Sequence, residues 1–467
     1  MKFDYDVVIV GAGASGVGMA HVLKTLGIKR FTILERHEVG ASFLRWPKEM
    51  RFISPSFTGN AFGHLDLNAV TLETSPAYTL ETEHPSGRQF AEYLQLIVKE
   101  YKLPVKTGVE VLSILPGVAA TLEKATSAKA AAKNKLLGGA VRPRTNGTAR
   151  GSDAAVRPSK NGRRAVAAGT EDHLTLTLSP EDGGEGTGED RSREGGGFTI
   201  ETLGGTITAR YVIWAAGEFQ YPNKNGFPGA ELCVHNATIT SWRAAAKGSL
   251  GLPLEETSSD EVMDEGLANH FIVIGGNESG IDAAVNLSRC GKQVTVLDRA
   301  SPWDPQGSDP SKTLTPYTLE RLERALNSER LDLVGKTRVK SVMRDGGLYT
   351  VTAKSKSWTS GNPPILATGF SGSLKLIERL FVWLENGYVE LTDEDESSQT
   401  PGLFVTGPMV RHDGAIFCFI YKFRQRFAVV ANAIAKRLGI DPEPLEKYRK
   451  KQMFLDDLSC CDEECEC

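Results

Sequence analysis

The sequence predicts an α/β fold with two parallel-sheet units, on three observations. An apolar run, Asp6-Val7-Val8-Ile9-Val10, enters Gly11-Ala12-Gly13-Ala14-Ser15-Gly16, and a second apolar strand, Phe31-Thr32-Ile33-Leu34, ends on Glu35. The same order recurs as Phe271–Ile274, Gly275-Gly276-Asn277-Glu278-Ser279-Gly280 and Gln293–Leu297, ending on Asp298. The length of 467 residues holds about three 150-residue domains. With 40% hydrophobic and 24% charged residues, collagen-like, coiled-coil and wholly disordered chains are excluded.

The first turn reads as a phosphate cradle. Gly11 permits the sharp exit from the strand, Gly13 lets the backbone approach a pyrophosphate, and Gly16 lets the next helix pack on the sheet. Ala14 and Ser15 then open a helix whose free N–H groups and dipole favour an anion. Glu35, 24 residues beyond Gly11, is placed to accept hydrogen bonds from a ribose. In the second copy Asn277 stands where the middle glycine is usual, and Asn is the residue that best tolerates unusual backbone angles after Gly. Glu278, Ser279 and Gly280 follow at the helix start, and Asp298 lies 23 residues after Gly275. Asp298 suits a free ribose 2′-OH, whereas Arg299 beside it suits a 2′-phosphate, so both NADH and NADPH stay open. Two Rossmann-like dinucleotide-binding domains in one chain imply FAD and NAD(P)H, because hydride passes from one ring to the other.

Composition divides the rest of the chain. Residues 124–164 carry 11 basic residues and one acid, and 171–194 turn mostly acidic. Such a stretch buries too little apolar area to offset its ordering entropy, so 117–197 is expected to be a largely disordered insertion. Within it His173–Leu178 alternates like a strand, with Phe198–Leu203 as a possible pairing partner. A solvated linker is favoured over a nucleic-acid contact. The acidic stretch 254–269 reads as an interdomain loop. Near the end, Ile416, Phe419, Ile420, Phe423, Phe427, Val430, Ile434 and Leu438 recur at helical spacing, stopped by Gly439 and Pro442. The N-terminus lacks a secretory pattern and no apolar run reaches the roughly 20 residues of a membrane span, so a cytoplasmic protein is expected. Of seven cysteines, four crowd into Cys460–Cys467.

On these residues the chain resembles the two-dinucleotide-binding flavoproteins, and among them the flavin-containing monooxygenases. Tyr211–Gly217 and Pro364–Gly369 resemble the strand-plus-glycine crossovers, and Gly402–Gly407 the last FAD strand. The resemblance implies an NAD(P)H-binding domain inserted into a split FAD domain. It places the first FAD-binding segment at 1–116, its crossover at 198–220, the NAD(P)H domain at 221–369, the second FAD-binding segment at 370–447 and a Cys-rich tail at 448–467. It adds Arg36, Val111, Gly217, Gly369 and Gly407 to the expected cofactor contacts. Phe227, Gly229, His235 and Trp242 form a loosened version of the family's interdomain motif. Arg45 occupies the position matching the family's active-site Asn, just before Lys48-Glu49-Met50-Arg51-Phe52.

The resemblance extends, through Gly40–Pro47, to bacillithiol-disulfide-reductase-like proteins, which carry a cysteine where this chain has Ala14. Trp46, Phe52, Phe57 and Phe62 are expected to cover the flavin. His412 is expected near the flavin's pyrimidine edge, where a group of near-neutral pKa assists proton transfer. Three functions follow. The preferred one is a monooxygenase acting on a small organic substrate with O2. The second is a reductase of a disulfide or metal ion working through Cys460–Cys467, and the third a dinucleotide-binding sensor whose basic insertion contacts a partner. No metal is assigned to the fold, although the tail thiols suit a soft ion.

Overall fold

In a computed structural model, the structure describes residues 2–59, 63–117, 196–224, 226–250, 264–304, 311–354 and 356–459. Residues 118–195 of the insertion, the acidic loop up to 263 and the tail cysteines lie outside the described residues.

The principal elements are β1 (Tyr5–Val10), α1 (Ala14–Thr25), β2 (Phe31–Glu35), α2 (Gly87–Glu100), β3 (Val105–Thr107), β4 (Val111–Pro116), β5 (Phe198–Thr202), β6 (Gly205–Trp214) and β7 (Val234–His235). They continue with β8 (His270–Ile274), α3 (Glu278–Arg289), β9 (Gln293–Leu297), α4 (Pro316–Leu326), β10 (Leu331–Val334), β11 (Val339–Asp345), β12 (Leu348–Ala353) and β13 (Ser357–Ser360). The last are β14 (Ile365–Leu366), β15 (Leu403–Val405) and α5 (Phe427–Leu438).

The first sheet runs β3-β2-β1-β6-β5-β4, with β15 also on β6. Ten-residue β6 serves both halves. Its early residues pair antiparallel with β5, while Val212–Trp214 lie between β1 and β15 in parallel register. The second sheet, β10-β9-β8-β14-β7, is parallel throughout, and β11-β12-β13 form an antiparallel sheet. The second sheet falls between residues 234 and 366, and the first sheet's strands lie on both sides of that span. This is a two-dinucleotide-binding α/β architecture in which one unit interrupts the other.

Burial explains the elements. In β1 the four residues Val7–Val10 are all buried, as a strand covered on both faces requires. Helix α1 is buried nearly all round because the sheet lies on one side and α5 on the other. Gly18 allows that approach, since a Cβ there would meet the Phe427 ring at 2.3 Å. Helix α2 is amphipathic and starts with a capping box, Ser86 accepting from Gln89 N–H and Gln89 reaching back to Ser86 N–H.

Strand β5 pairs with β4 on one edge and β6 on the other, and its expected partner, 173–178, lies outside the described residues. The helix foreseen from Ile416 is broken: Ile416 pairs with Arg411 in a two-residue hairpin, Ile420–Phe423 make one turn, and α5 begins only at Phe427. Asp413 sits in that hairpin's turn with φ 44. Periodicity alone could not see the break, because the apolar spacing runs through it.

A buried histidine on α1 gives the fold a pH dependence. His21 lies 3.5 Å from the Glu73 carboxylate and 3.3 Å from the Tyr448 hydroxyl. Burial pushes its pKa down to about 4, although Glu73 pulls the other way. The unfolded chain takes up this proton near its ordinary value of 6.5, before the native state does. Stability is therefore complete above 6.5 and falls as the pH drops toward 4, with a slope of about 1.4 kcal/mol per pH unit. Urea unfolding of wild type and His21→Gln across that window is expected to show the slope in the first and a flatter profile in the second.

Candidate functional site

Both glycine turns have the same construction. At Gly11 (φ +104) a Cβ would lie 2.6 Å from the Ala215 carbonyl oxygen, and at Gly16 it would lie 1.9 Å from that of Gly11. At Gly275 (φ +104) it would lie 2.3 Å from the Ala367 oxygen, and at Gly280 1.9 Å from that of Gly275. The carboxylates closing the second strands act alike as well. Glu35 Oε2 accepts from Ala12 N–H at 2.8 Å, and Asp298 Oδ2 accepts from Gly276 N–H at 2.7 Å. Each acid thus braces its own turn while keeping lone pairs for a ribose.

The exception is the position between the packed glycines. A Cβ at Gly13 would meet no atom within 4 Å. Gly13 and Asn277 are the N-caps of α1 and α3; Gly13 has no side chain to cap with, and that of Asn277 makes no capping hydrogen bond. Unfilled space at the uncapped N-terminus of a buried helix fits the pyrophosphate of FAD. Asn277 is exposed at the second turn, which fits a nucleotide that enters and leaves.

One cavity of about 480 Å³ touches both turns, bounded by Gly11, Gly13, Ala14 and Ser15 from the first and by Asn277, Glu278, Ser279 and Asp282 from the second. Its walls are aromatic, with Phe43, Trp46, Phe52, Phe219, Phe370, Phe419 and Phe423. Gly217 opens the crossover segment along one side, followed by Glu218 and Gln220. Gly407 (φ +96) lies behind Ser15, where its missing Cβ would stand 3.1 Å from the serine side chain. A second cavity of about 60 Å³ is lined by Glu35, Arg36, Val111, Gln220 and Tyr221, among others.

The other expected residues fall elsewhere. Trp46 lines the main cavity, but Arg45 does not: its guanidinium bonds Gln220 Oε1 and His37 Nε2, both at 2.8 Å. His412 is directed away, with Nε2 2.6 Å from buried Asp395 Oδ1. Arg299 is exposed beside Asp298. Gly369 offers its carbonyl oxygen to His235 Nε2 at 3.0 Å. Buried Trp242 donates its indole N–H to Asp282 at 3.1 Å, so the motif residues His235 and Trp242 hold the second unit together and do not face the cavity. Phe57 is exposed, and Phe62 lies outside the described residues.

Three cavity residues escaped the sequence. Gln220 accepts from both Arg36 and Arg45. Burial raises the Glu218 carboxyl pKa above the ordinary carboxylate range, against the partial opposition of Arg411. Cys418 lies 3.3 Å from the Ser311 hydroxyl, and burial pushes its thiol pKa up. The signal for Glu218 and Gln220 was their place directly after the crossover glycine. Cys418 had none.

The fold and the paired turns define an oxidoreductase that uses FAD and NAD(P)H. The chain belongs to the pyridine nucleotide-disulphide oxidoreductase family, whose profile matches residues 8–135, 190–250 and 255–407. Bacilliredoxin reductase Bdr of Bacillus subtilis is 24% identical over 242 residues, 51% of this chain and 66% of that protein, so the match spans just under two thirds of the relative. Among solved structures, the bacillithiol disulfide reductase Bdr of Staphylococcus aureus matches with a TM-score of 0.58 and 17% identity, covering 93% of this chain and 99% of that one. A flavin-containing monooxygenase from Stenotrophomonas maltophilia matches with a TM-score of 0.55 and 14% identity, covering 93% and 98%. These structural likenesses concern the fold. No helix among the described residues is long and apolar enough to cross a membrane.

Proposed function

We propose that the protein is an NAD(P)H-dependent monooxygenase of a small, largely apolar molecule. One oxygen atom of O2 enters the substrate; the other leaves as water with two electrons from NAD(P)H and one added proton. FAD, when bound, supplies the two-electron relay between nicotinamide and acceptor. The N–H groups at the start of α1 hold its pyrophosphate, Glu35 its ribose, and Arg36 and Val111 border the adenine side. Asn277, Ser279 and Asp298 serve the nicotinamide nucleotide. Trp46, Phe52, Phe219 and Phe370 exclude water from the space between.

The observation carrying this reading is the aromatic cavity that touches both turns. Among the described residues Cys418 is the cavity's one thiol, and its raised pKa makes it a poor nucleophile. The second reading, a reductase of a disulfide or metal ion, draws on the relative named a bacilliredoxin reductase and on the cysteines at 460–467.

The test begins anaerobically. NADH or NADPH should bleach the yellow flavin; failure with both would sink the two readings together. In air, an oxygenase consumes more O2 than it releases as peroxide once a substrate is present, and the product carries label from ¹⁸O2. If all O2 returns as peroxide, while deletion of 460–467 removes turnover with a disulfide or Hg²⁺ and spares flavin bleaching, the reductase stands.

A further inference from the structure

The cavity holds a carboxyl group that the cofactor contacts above do not use. Glu218 follows Gly217, whose φ of +64 turns the chain out of β6. Its carbonyl is fixed by Tyr221 N–H at 2.8 Å. Its side chain lines the cavity that also touches Ser15 of the first turn and Ser279 of the second. Glu218 is half-buried, and among the described residues no donor is bonded to its carboxyl, so desolvation is opposed only by the Arg411 charge.

The surrounding charges do not reverse this. Arg411 is the cation that acts on Glu218, but its Nη1 is committed to the carbonyls of Pro408 and Val410. Cys418 shares the cavity as a protonated thiol. Glu278 and Asp282 enter from α3. Glu278 accepts from Thr315 N–H and the Thr318 hydroxyl, and Asp282 is paired with Arg321 at 2.8 Å. Lys422 stands one hydroxyl back, its Nζ 3.0 Å from Ser311.

We propose that Glu218, which lines the cavity touching both turns just beyond the crossover glycine, is the proton donor of the oxidative half-reaction. The destination of its proton rests on the oxygenase reading above. The oxygen atom that is not transferred leaves as water; the Glu218 O–H bond breaks, a water O–H bond forms, and the carboxylate regains its proton from solvent. No electron passes through the residue. A raised pKa keeps the acid form at pH values where solvent-exposed carboxylates are ionised.

The sign of the pH dependence follows. The oxidative rate is full below the Glu218 pKa and falls as pH rises through it. Glu218→Gln keeps the shape and removes the proton. It should retain FAD and reduce within about two-fold of wild type, while its oxygen-dependent step slows by about 100-fold and loses that limb of the profile. Glu218→Asp, which keeps a carboxyl, should restore some of the rate and the limb; it also serves if the glutamine variant folds poorly.

A readout independent of turnover is the infrared difference spectrum between wild type and Glu218→Gln. A protonated-carboxyl stretch should persist above the pH at which exposed carboxylates ionise and disappear as the pH is raised further. Its absence above the ordinary carboxylate range overturns the proposal whatever the enzyme oxidises, as does an unchanged oxidative rate in Glu218→Gln. If the band titrates and the same slowing appears with a disulfide or metal acceptor, Glu218 stands as the donor and the oxygenase reading alone falls.

Discussion

Gly13→Val should give a folded, colourless protein. No protein atom lies within 4 Å of a Cβ at this position, so the added side chain meets the ligand's space and not the core. FAD affinity should fall by at least about 100-fold, equivalent to ~2.7 kcal/mol, while the urea midpoint of the apoprotein stays near that of wild type. Gly16→Ala is the control with the opposite signature. Its Cβ would stand 1.9 Å from the Gly11 carbonyl oxygen, so the turn must open and the apoprotein itself must lose stability. Flavin absorbance after desalting and apoprotein unfolding, measured on both variants, separate a ligand cradle from a packing glycine. Retention of FAD by Gly13→Val would remove the first turn from the cofactor site.

That contrast shows what the sequence could and could not convey. Strand, glycines, helix and terminal acid are local, and each is dictated by backbone geometry, so both turns were legible with Glu35 and Asp298 in place. Trp46 and Phe52 were legible from their aromatic loop, but the other side chains that close the cavity come from segments far apart in sequence: Phe219, Phe370, then Phe419. Nothing local marks which face of a loop they turn. Arg45 illustrates the error this produces, since a neighbour of Trp46 turns instead toward Gln220, 175 residues away. The pairing of β4 with β5 was hidden for a similar reason, because 81 residues of unusual composition separate Pro116 from Phe198. Glu218 was hidden by chemistry: a carboxylate beside a glycine reads as solvated surface until burial is known.

His412 and the charges around it lead to the second large effect. Asp395 and Arg426 both have fully buried side chains; Nη2 lies 2.8 Å and Nε 3.0 Å from the two carboxylate oxygens, and His412 adds a contact at 2.6 Å. Arg426 also donates to the carbonyls of Asp393 and Leu455, and Asp395 offers its own carbonyl to Val405 N–H of β15. One buried pair thus ties the last strand, the start of α5 and the C-terminal segment together. Removing one partner leaves a charge buried without compensation, at a cost of about 3–5 kcal/mol in comparable pairs. Asp395→Asn should therefore lower stability by about 3–5 kcal/mol. Asparagine also suits the left-handed backbone there (φ 61), so the loss reports the charge and not strain. Arg426→Met should cost as much alone, and combining the two should cost clearly less than the sum, because neither leaves the other charge stranded. Urea midpoints of the two single variants and the double variant complete the cycle. His412→Gln fixes the remaining role. A proton-transferring histidine would make that variant inactive with unchanged stability, whereas one that supports Asp395 predicts a stability loss of about 1–3 kcal/mol with anaerobic flavin reduction retained.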